Sequence, residues 1–361
     1  MNCIFWYTNC SAHTSSLATF GYSKKFLLLP RITFFVLTFL LAVQQVAAQT
    51  GKQYSFRHFS VTNGLAANTV GSIAQDADGF IWMATTNGLQ RYDGNTFLTF
   101  RANAKDSTTI PSTHLYNVYT DGSKRLWLAS NKQRIGIFDT KKFTFREAKI
   151  EGRKRIAPDF LLQELPDGRM IVKLEGTVYL YNPALNKFIL NNQLFPLPRN
   201  WHFAEMVWDE PRKVYWIGAD SGLLRYDPAS GRINYRGNNP DNDPVINAFA
   251  EQRRQVGLRV DKKGNVIYAF WPPNSGNGFM YRYNRTTKQA EKINLGLYTG
   301  GYHELTGYLQ QKNGRFWVYG MPFLFEWTDS KKDPFIPVTG INPELPDINF
   351  DIAYKVIEDR E

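Results

Sequence analysis

One pattern recurs six times along the chain, and it constrains the fold more than any other feature. Each copy has a hydrophobic strand, a polar turn with Asp or Gly, a second strand that often carries Trp, and a turn made by an aromatic residue followed by Asp. The clearest copy runs from Thr69 to Phe100, where Asp78-Gly79, Asn87-Gly88 and Asp93-Gly94 separate short stretches of alternating hydrophobic residues. Such dipeptides are strong hairpin signals. This copy therefore predicts one four-stranded antiparallel sheet.

The tryptophan of the second strand marks the period of the repeat. Trp82 has counterparts at Trp127, Ile171, Trp216, Ile267 and Trp317. The spacing of about 44 to 51 residues is typical of propeller blades. After the first 48 residues no stretch keeps the three- and four-residue spacing of an amphipathic helix. We predict an all-β chain, a β-propeller of four-stranded antiparallel blades, in which Trp82, Trp127, Trp216 and Trp317 are structural and pack between blades.

The repeat divides the chain into six blades and a fragment of a seventh. The predicted bounds are about 69–100, 114–146, 158–189, 201–236, 254–293 and 303–336, with a partial blade at 349–361. Tyr54–Ser60 is predicted to be a lone strand that closes the ring from the other end. Because an unfinished blade leaves unpaired strand edges, we interpret residues 49–361 as an incomplete propeller from a longer, seven-bladed parent.

The first 48 residues have the pattern of a signal peptide. Lys24, Lys25 and Arg31 precede an apolar run from Ile32 to Val43, and small residues follow up to Ala48. An uncleaved anchor is the alternative, but the apolar run is short for a membrane span. We expect cleavage near Ala48 and a periplasmic or secreted mature chain. Its lack of cysteine suits an oxidising compartment.

Charge gives little support to a nucleic-acid partner. Three of the 43 basic residues and none of the 32 acidic ones lie in the signal segment, which leaves a net charge of about +8. The basic residues are scattered, and the densest cluster, Arg153–Arg155, is too short to follow a phosphate backbone. We expect no nucleic-acid binding and no cofactor.

Residues Phe56 to Gly94 resemble the two-component regulator propeller repeat. The resemblance is carried by Asn63-Gly64-Leu65, by Asp76 with Gly79 and Trp82, and by the runs Thr86–Leu89 and Arg91–Gly94. It weakens in later blades, where the second lacks the glycine before its tryptophan. The family implied is the periplasmic sensor of Bacteroidetes hybrid two-component histidine kinases.

In that family, two propellers precede an immunoglobulin-like domain, a membrane span, a histidine kinase core and a response regulator, and many members sense polysaccharide breakdown products. The resemblance implies a homodimeric parent that reaches the membrane only through parts absent from this chain. The chain itself has no nucleotide-binding glycine motif and no phospho-acceptor helix, so we expect no catalysis in it.

The sequence contains no complete enzyme motif, and its candidate catalytic carboxylates fit turns of the predicted fold. His303-Glu304 does not continue as a zinc-protease motif, and no serine nucleophile elbow occurs. Carboxylates such as Asp76 and Asp121 fit hairpin turns better than the acid pair of a glycosidase.

The candidate ligand contacts lie where the innermost strands begin. Polar and aromatic side chains gather at these positions, where they could hydrogen-bond sugar hydroxyls and stack on sugar rings; they are Asn68, His114, Trp201, His202, Tyr302 and His303. Ordinary loop chemistry explains the same residues equally simply. No metal site is predicted.

Three functions remain open. The first is a ligand-sensing propeller that recognises an oligosaccharide derived from a polysaccharide and biases a kinase between states. The second is a secreted polysaccharide lyase or hydrolase, which would need clustered catalytic groups in one cleft. The third is a structural platform for protein interaction.

Overall fold

The computed structural model describes residues 57–131, 134–153, 160–191, 193–250, 255–270, 279–300, 302–330, 334–338 and 352–360. The predicted signal peptide at 1–48 lies outside the described residues, as do the ends of three predicted elements at 54–56, 158–159 and 254, and positions 349–351 and 361. The described residues form six antiparallel sheets of four main strands each. The predicted all-β propeller of four-stranded blades is confirmed.

The strands of each blade follow one another along the chain, from the innermost to the outermost. The first three blades contain β1 Val70–Gln75, β2 Ile81–Thr85, β3 Gly88–Tyr92 and β4 Phe97–Phe100; β5 Leu115–Thr120, β6 Leu126–Ser130, β7 Ile135–Asp139 and β8 Thr144–Glu147; and, after the short β9 Lys149–Ile150, β10 Leu161–Glu164, β11 Met170–Leu174, β12 Thr177–Asn182 and β13 Lys187–Leu190. β9 pairs in parallel with β13 as a fifth strand.

The other three blades repeat this order. They contain β14 Phe203–Asp209, β15 Val214–Ala219, β16 Gly222–Asp227 and β17 Arg232–Tyr235; β18 Gln255–Val260, β19 Val266–Phe270, β20 Phe279–Asn284 and β21 Gln289–Ile293; and β22 Glu304–Gln310, β23 Phe316–Met321, β24 Leu324–Trp327 and β25 Phe335–Pro337. Short helices occur at Val61–Asn63, Pro244–Ala248 and Gly296–Thr299. Every described blade lies within about three residues of its predicted bounds.

The innermost strands share a local irregularity. In five of them the register with the second strand shifts by one residue near the start of the strand, at Val70/Ser72, Leu115/Asn117, Phe203/Glu205, Gln255/Gly257 and Leu305/Gly307. A bulge of this kind bends a strand and increases its twist. The inner strands therefore bend at the same level, at the end where they begin.

The hydrophobic core lies between neighbouring blades. Five clusters each join the marker residue of one blade to apolar side chains of the next; for example, Trp82 packs with Leu115 and Phe138 of the second blade. Trp127, Ile171, Trp216 and Ile267 make the same connection to the blade that follows them. Trp82, Trp127 and Trp216 are fully buried. Burial of these large aromatic surfaces stabilises the stack of blades.

The two ends of the described chain meet the first blade in different ways. The lone closing strand predicted at Tyr54–Ser60 is not seen in its described part, because residues 57–60 belong to no strand. Instead, the Phe59 ring packs on Tyr92 and Phe97, with centroids 5.1 and 5.2 Å away, so this segment covers the outer edge of the first blade. The opposite end, 352–360, reaches between the sixth blade and the first.

Candidate functional site

An open groove lies on the face of the propeller where the inner strands end. It has a volume of about 710 Å³ and spans the second, third and fourth blades. Its wall combines aromatic rings with acidic and amide groups; the side chains that matter below are Tyr119, Gln163, Glu164, Trp208, Glu210 and Tyr215. We call this space the end-face groove.

Three aromatic residues, from the second and fourth blades, line the end-face groove. Tyr119 is the fifth residue of β5, Trp208 the sixth of β14, and Tyr215 lies on β15 directly opposite Trp208 in the register. The Trp208 and Tyr215 rings are 4.7 Å apart between centroids. Trp208 is half-buried, so its ring is fixed by packing and still partly open to the groove. Such a surface suits stacking on a sugar ring.

The carboxylate of Glu164 is held rigidly at the floor of the groove. The Gly122 amide donates to both of its oxygens at 2.9 Å, and the Tyr119 hydroxyl donates to Oε2 at 3.1 Å. A β-carbon at Gly122 would lie 2.8 Å from Glu164 Oε1, so a larger residue here would displace the carboxylate. Burial, and then the charge of Glu164, raise the pKa of Tyr119 above its ordinary value, so the hydroxyl keeps its proton and donates.

Glu210 supplies a second, exposed carboxylate at the rim. The Trp208 indole N–H donates to Glu210, and Lys213 pairs with it. The hydrogen bond from Lys213, followed by that from Trp208, lowers the pKa of Glu210. Burial raises the pKa of Tyr215 to about 12. At neutral pH the groove therefore presents an ionised acceptor at Glu210 beside neutral phenols, and such a carboxylate can accept hydrogen bonds from hydroxyl groups.

A second space, the central channel, lies along the axis between the inner strands. It has a volume of about 630 Å³ and is lined by parts of β1, β5, β10, β14 and β18 together with the segment 352–360. Tyr119, Gln163 and Glu164 line both the channel and the end-face groove. The two spaces are therefore joined at these residues.

The six residues predicted from the sequence lie at the opposite face, where the inner strands begin. All six belong to the turns leading into β1, β5, β14 and β22. Each contacts its own neighbourhood: Asn68 accepts from the Val61 amide, His114 packs edge-on with Tyr116, Trp201 with Tyr235, His202 bonds Asp220 at 2.7 Å, Tyr302 donates to Glu304, and His303 lies 3.3 Å from Thr299 Oγ1. They share a face, and each of these contacts lies within or beside the residue's own blade.

The six predicted residues also differ in how exposed their side chains are. Tyr302 is 56% exposed and His202 is exposed, so both are open to a ligand. His303 is only 1% exposed and packs near Phe323, a position that suits support of the fold better than ligand contact.

The sequence analysis did not predict three residues of the end-face groove, Tyr119, Glu164 and Trp208. Aromatic residues near the ends of two inner strands, beyond the repeating tryptophans, were the signal that could have revealed them.

Comparison with known proteins assigns the repeat. Residues 64–87 match the family model described as two component regulator propeller. The chain contains the two-component regulator propeller repeat. A stretch of 77 residues, 21% of the chain, is 36% identical to histidine kinase P4 of Formosa agariphila and covers 6% of that protein.

Solved structures with the same fold include extracellular domains of two hybrid two-component systems of B. thetaiotaomicron. The chain superposes on the extracellular domain of BT3049 with a TM-score of 0.60 at 18% identity, over 85% of this chain and 39% of the other. For BT4673 the TM-score is 0.56 at 15% identity, over 79% and 39%. The chain thus spans well under half the length of these relatives, and at such identities the likeness shows the fold.

Two further observations bear on the site. Within the described ranges, no group of three or more His, Cys, Asp or Glu side chains is arranged to hold a metal ion. The same ranges contain no helix that is long and apolar enough to cross a membrane.

Proposed function

We propose that the chain is the ligand-sensing propeller of a hybrid two-component signalling protein, exposed to the periplasm or the cell exterior, and that it binds an oligosaccharide without altering it. The observation that carries the sensory role is the match of the first blade to the two-component regulator propeller repeat. The shared fold with extracellular domains of such systems supports it. The kinase and its membrane connection belong to the parent protein in this proposal.

The end-face groove is the ligand site that we propose. It offers a partly exposed indole at Trp208, a fixed carboxylate at Glu164 and the amide of Gln163 within one open space of about 710 Å³. Stacking surfaces beside hydrogen-bond acceptors are what an oligosaccharide requires. Binding in a groove that crosses three blades could change how the blades pack and thereby favour one state of the parent.

Isothermal titration calorimetry of the chain against a panel of di- to tetrasaccharides tests the proposal. We expect binding to at least one member, and Trp208→Ala should weaken it about tenfold because a stacking surface is lost. Tyr302→Ala is the matched control on the opposite face and should bind normally. Chromatography of the saccharide afterwards should show it intact.

Each other outcome has a definite meaning. Loss of binding in Tyr302→Ala and His202→Ala, with Trp208→Ala unaffected, would move the site to the strand-start face. If the saccharide were cleaved, the chain would be a polysaccharide-acting enzyme instead of a sensor. If no saccharide of the panel binds, the third function, a structural platform for protein interaction, would be favoured.

A further inference from the structure

The central channel contains six charged side chains, three of each sign. They are Glu164, Glu205, Glu358, Arg259, Lys355 and Arg360. Four of the six have hydrogen bonds that join neighbouring parts of the ring. Glu164 binds the Gly122 amide, Glu205 the Leu258 amide at 3.0 Å, and Glu358 the Lys312 amide at 2.7 Å, while the Arg360 guanidinium donates to Ala77 O at 2.9 Å. The remaining two charged side chains of the channel are those of Arg259 and Lys355.

Arg259 departs from the pattern of the repeat. It lies on β18 opposite Ile267, the marker residue of the fifth blade. At this register position the other five inner strands carry uncharged residues, namely Ala74, Tyr119, Gln163, Val207 and Leu309. Packing in a propeller thus does not require a cation at this position, and the fifth blade adds one to the channel wall.

Arg259 and Lys355 line the same channel, and the charge of Arg259 acts on Lys355. Neither forms an ion pair with a carboxylate among the residues that the structure describes. Lys355 is open to solvent in the channel and is nonetheless surrounded by protein, so burial, and then the charge of Arg259, lower its pKa. A cation that the packing of the repeat does not require, in the same channel as a second cation, is a mark of a functional site.

We propose that Arg259 and Lys355 form an anion-binding site in the central channel that holds the acidic group of an oligosaccharide, either a carboxylate or a sulfate ester. The sugar part of this inference rests on the proposed function. Because Tyr119, Gln163 and Glu164 border both spaces, a saccharide in the end-face groove can extend an acidic residue into the channel. A guanidinium and an ammonium together give charge-assisted hydrogen bonds to such a group.

Calorimetry with three saccharides tests the charge selectivity: trigalacturonate, neutral galactotriose and a sulfated chondroitin disaccharide. Each is titrated into the full chain, into Arg259→Gln and Lys355→Gln, and into Lys142→Gln, an exposed cation of the β7–β8 turn that serves as control. We expect an acidic saccharide to bind more tightly than galactotriose and to lose roughly tenfold in affinity or more in each channel variant. The control should not change, and added NaCl should weaken binding. Whichever of the two acidic saccharides binds identifies the acid group.

Melting temperature separates a binding role from a structural one. Lys355→Gln removes one of two like charges, so the saccharide-free variant should unfold at the same temperature or higher. Equal binding of neutral and acidic saccharides, or normal binding by both channel variants, would overturn the anion site and leave the proposed function standing. Failure of all three saccharides to bind would count against both.

Discussion

A hydrogen bond between an aspartate and the marker tryptophan recurs at the same place in three blades. The indole N–H of Trp82 donates to Asp76 at 2.7 Å, that of Trp127 to Asp121 at 2.7 Å, and that of Trp216 to Asp209 at 3.0 Å. The fifth blade has Ile267 instead of Trp, and there Asn265 Nδ2 donates to Asp261 at 2.8 Å. The aspartate therefore keeps a partner even where the tryptophan is replaced.

This pairing shows how far single residues could be understood from the sequence. The tryptophans were predicted to pack between blades, and the aspartates to serve the hairpin turns. Asp76 does accept from the Asp78 and Phe80 amides at 2.9 and 3.0 Å, as a turn residue does. Its second role, as acceptor for a buried indole six residues later, depends on the register of β1 and β2, which turn preferences alone do not specify.

We predict that Asp76→Ala lowers the free energy of unfolding by about 1–3 kcal/mol, because it leaves the buried Trp82 N–H without an acceptor. Urea denaturation measures the loss. The same substitution made in Trp82→Phe, which has no indole N–H, should cost about 1 kcal/mol less. An equal cost in both backgrounds would show that Asp76 acts only through the turn.

At the scale of strands, the repeat predicted the blades well and their connections poorly. Hairpin dipeptides and alternating residues identify the strands because they are local signals. The short helix at Pro244–Ala248 has local signals too, since the Asp243 side chain accepts from the Val245 amide at 2.9 Å and Pro244 starts the first turn. It lies between the fourth and fifth blades, outside the repeat, so the repeat does not predict it. β9 was also missed, because two residues pairing in parallel leave no periodic pattern.

The close approach of neighbouring strands depends on glycine at one position of the second blade. Gly136 of β7 pairs with Glu147 of β8, and a β-carbon there would lie 2.2 Å from Arg146 O. We predict that Gly136→Ala destabilises the chain by about 1–3 kcal/mol, because backbone must move to make room. Thermal and urea unfolding provide the measurement.

Gly257 gives a matched control for this substitution. It lies on an inner strand, and the atoms nearest to a β-carbon there would be side-chain atoms of Leu305 and Tyr308, at 3.3 Å. Gly257→Ala should therefore cost clearly less than Gly136→Ala. If the two cost the same, the loss reflects alanine in a strand generally, and the backbone contact at Gly136 is unimportant.

At the scale of the molecule, the segment 352–360 links the sixth blade to the first. Ala353 donates to Gly320 O at 3.1 Å, and Lys312 donates from Nζ to Asp359 O at 2.7 Å, both on the side of the sixth blade. Arg360 donates from its amide to Gln75 Oε1 at 3.0 Å on the side of the first. The sequence predicted a partial blade at 349–361. In its described part, 352–360, this segment contains no strand, and it lies between the sixth blade and the first.

This link explains how six blades remain in one ring. The five hydrophobic clusters join successive blades from the first to the sixth, so contacts across the remaining gap have to come from elsewhere. Arg360 supplies several of them, because its guanidinium also donates to Asp76 O and Ala77 O in the turn after β1. That turn also contains Asp76, whose side chain accepts from the Trp82 indole. One loop therefore holds both the Asp76–Trp82 hydrogen bond and the contacts that close the ring.

We predict that Arg360→Ala lowers the free energy of unfolding by roughly 1 kcal/mol, since exposed charge-assisted hydrogen bonds contribute modestly. The local effect should be larger: amide hydrogen exchange should rise in β1 and β22, where the ring would open first, and stay unchanged in β10 and β14. Lys105→Ala, at an exposed loop position, is the control and should alter neither quantity. Uniform faster exchange in all blades would mean that the ring opens as one unit, and unchanged exchange would mean that the interblade clusters alone hold it together.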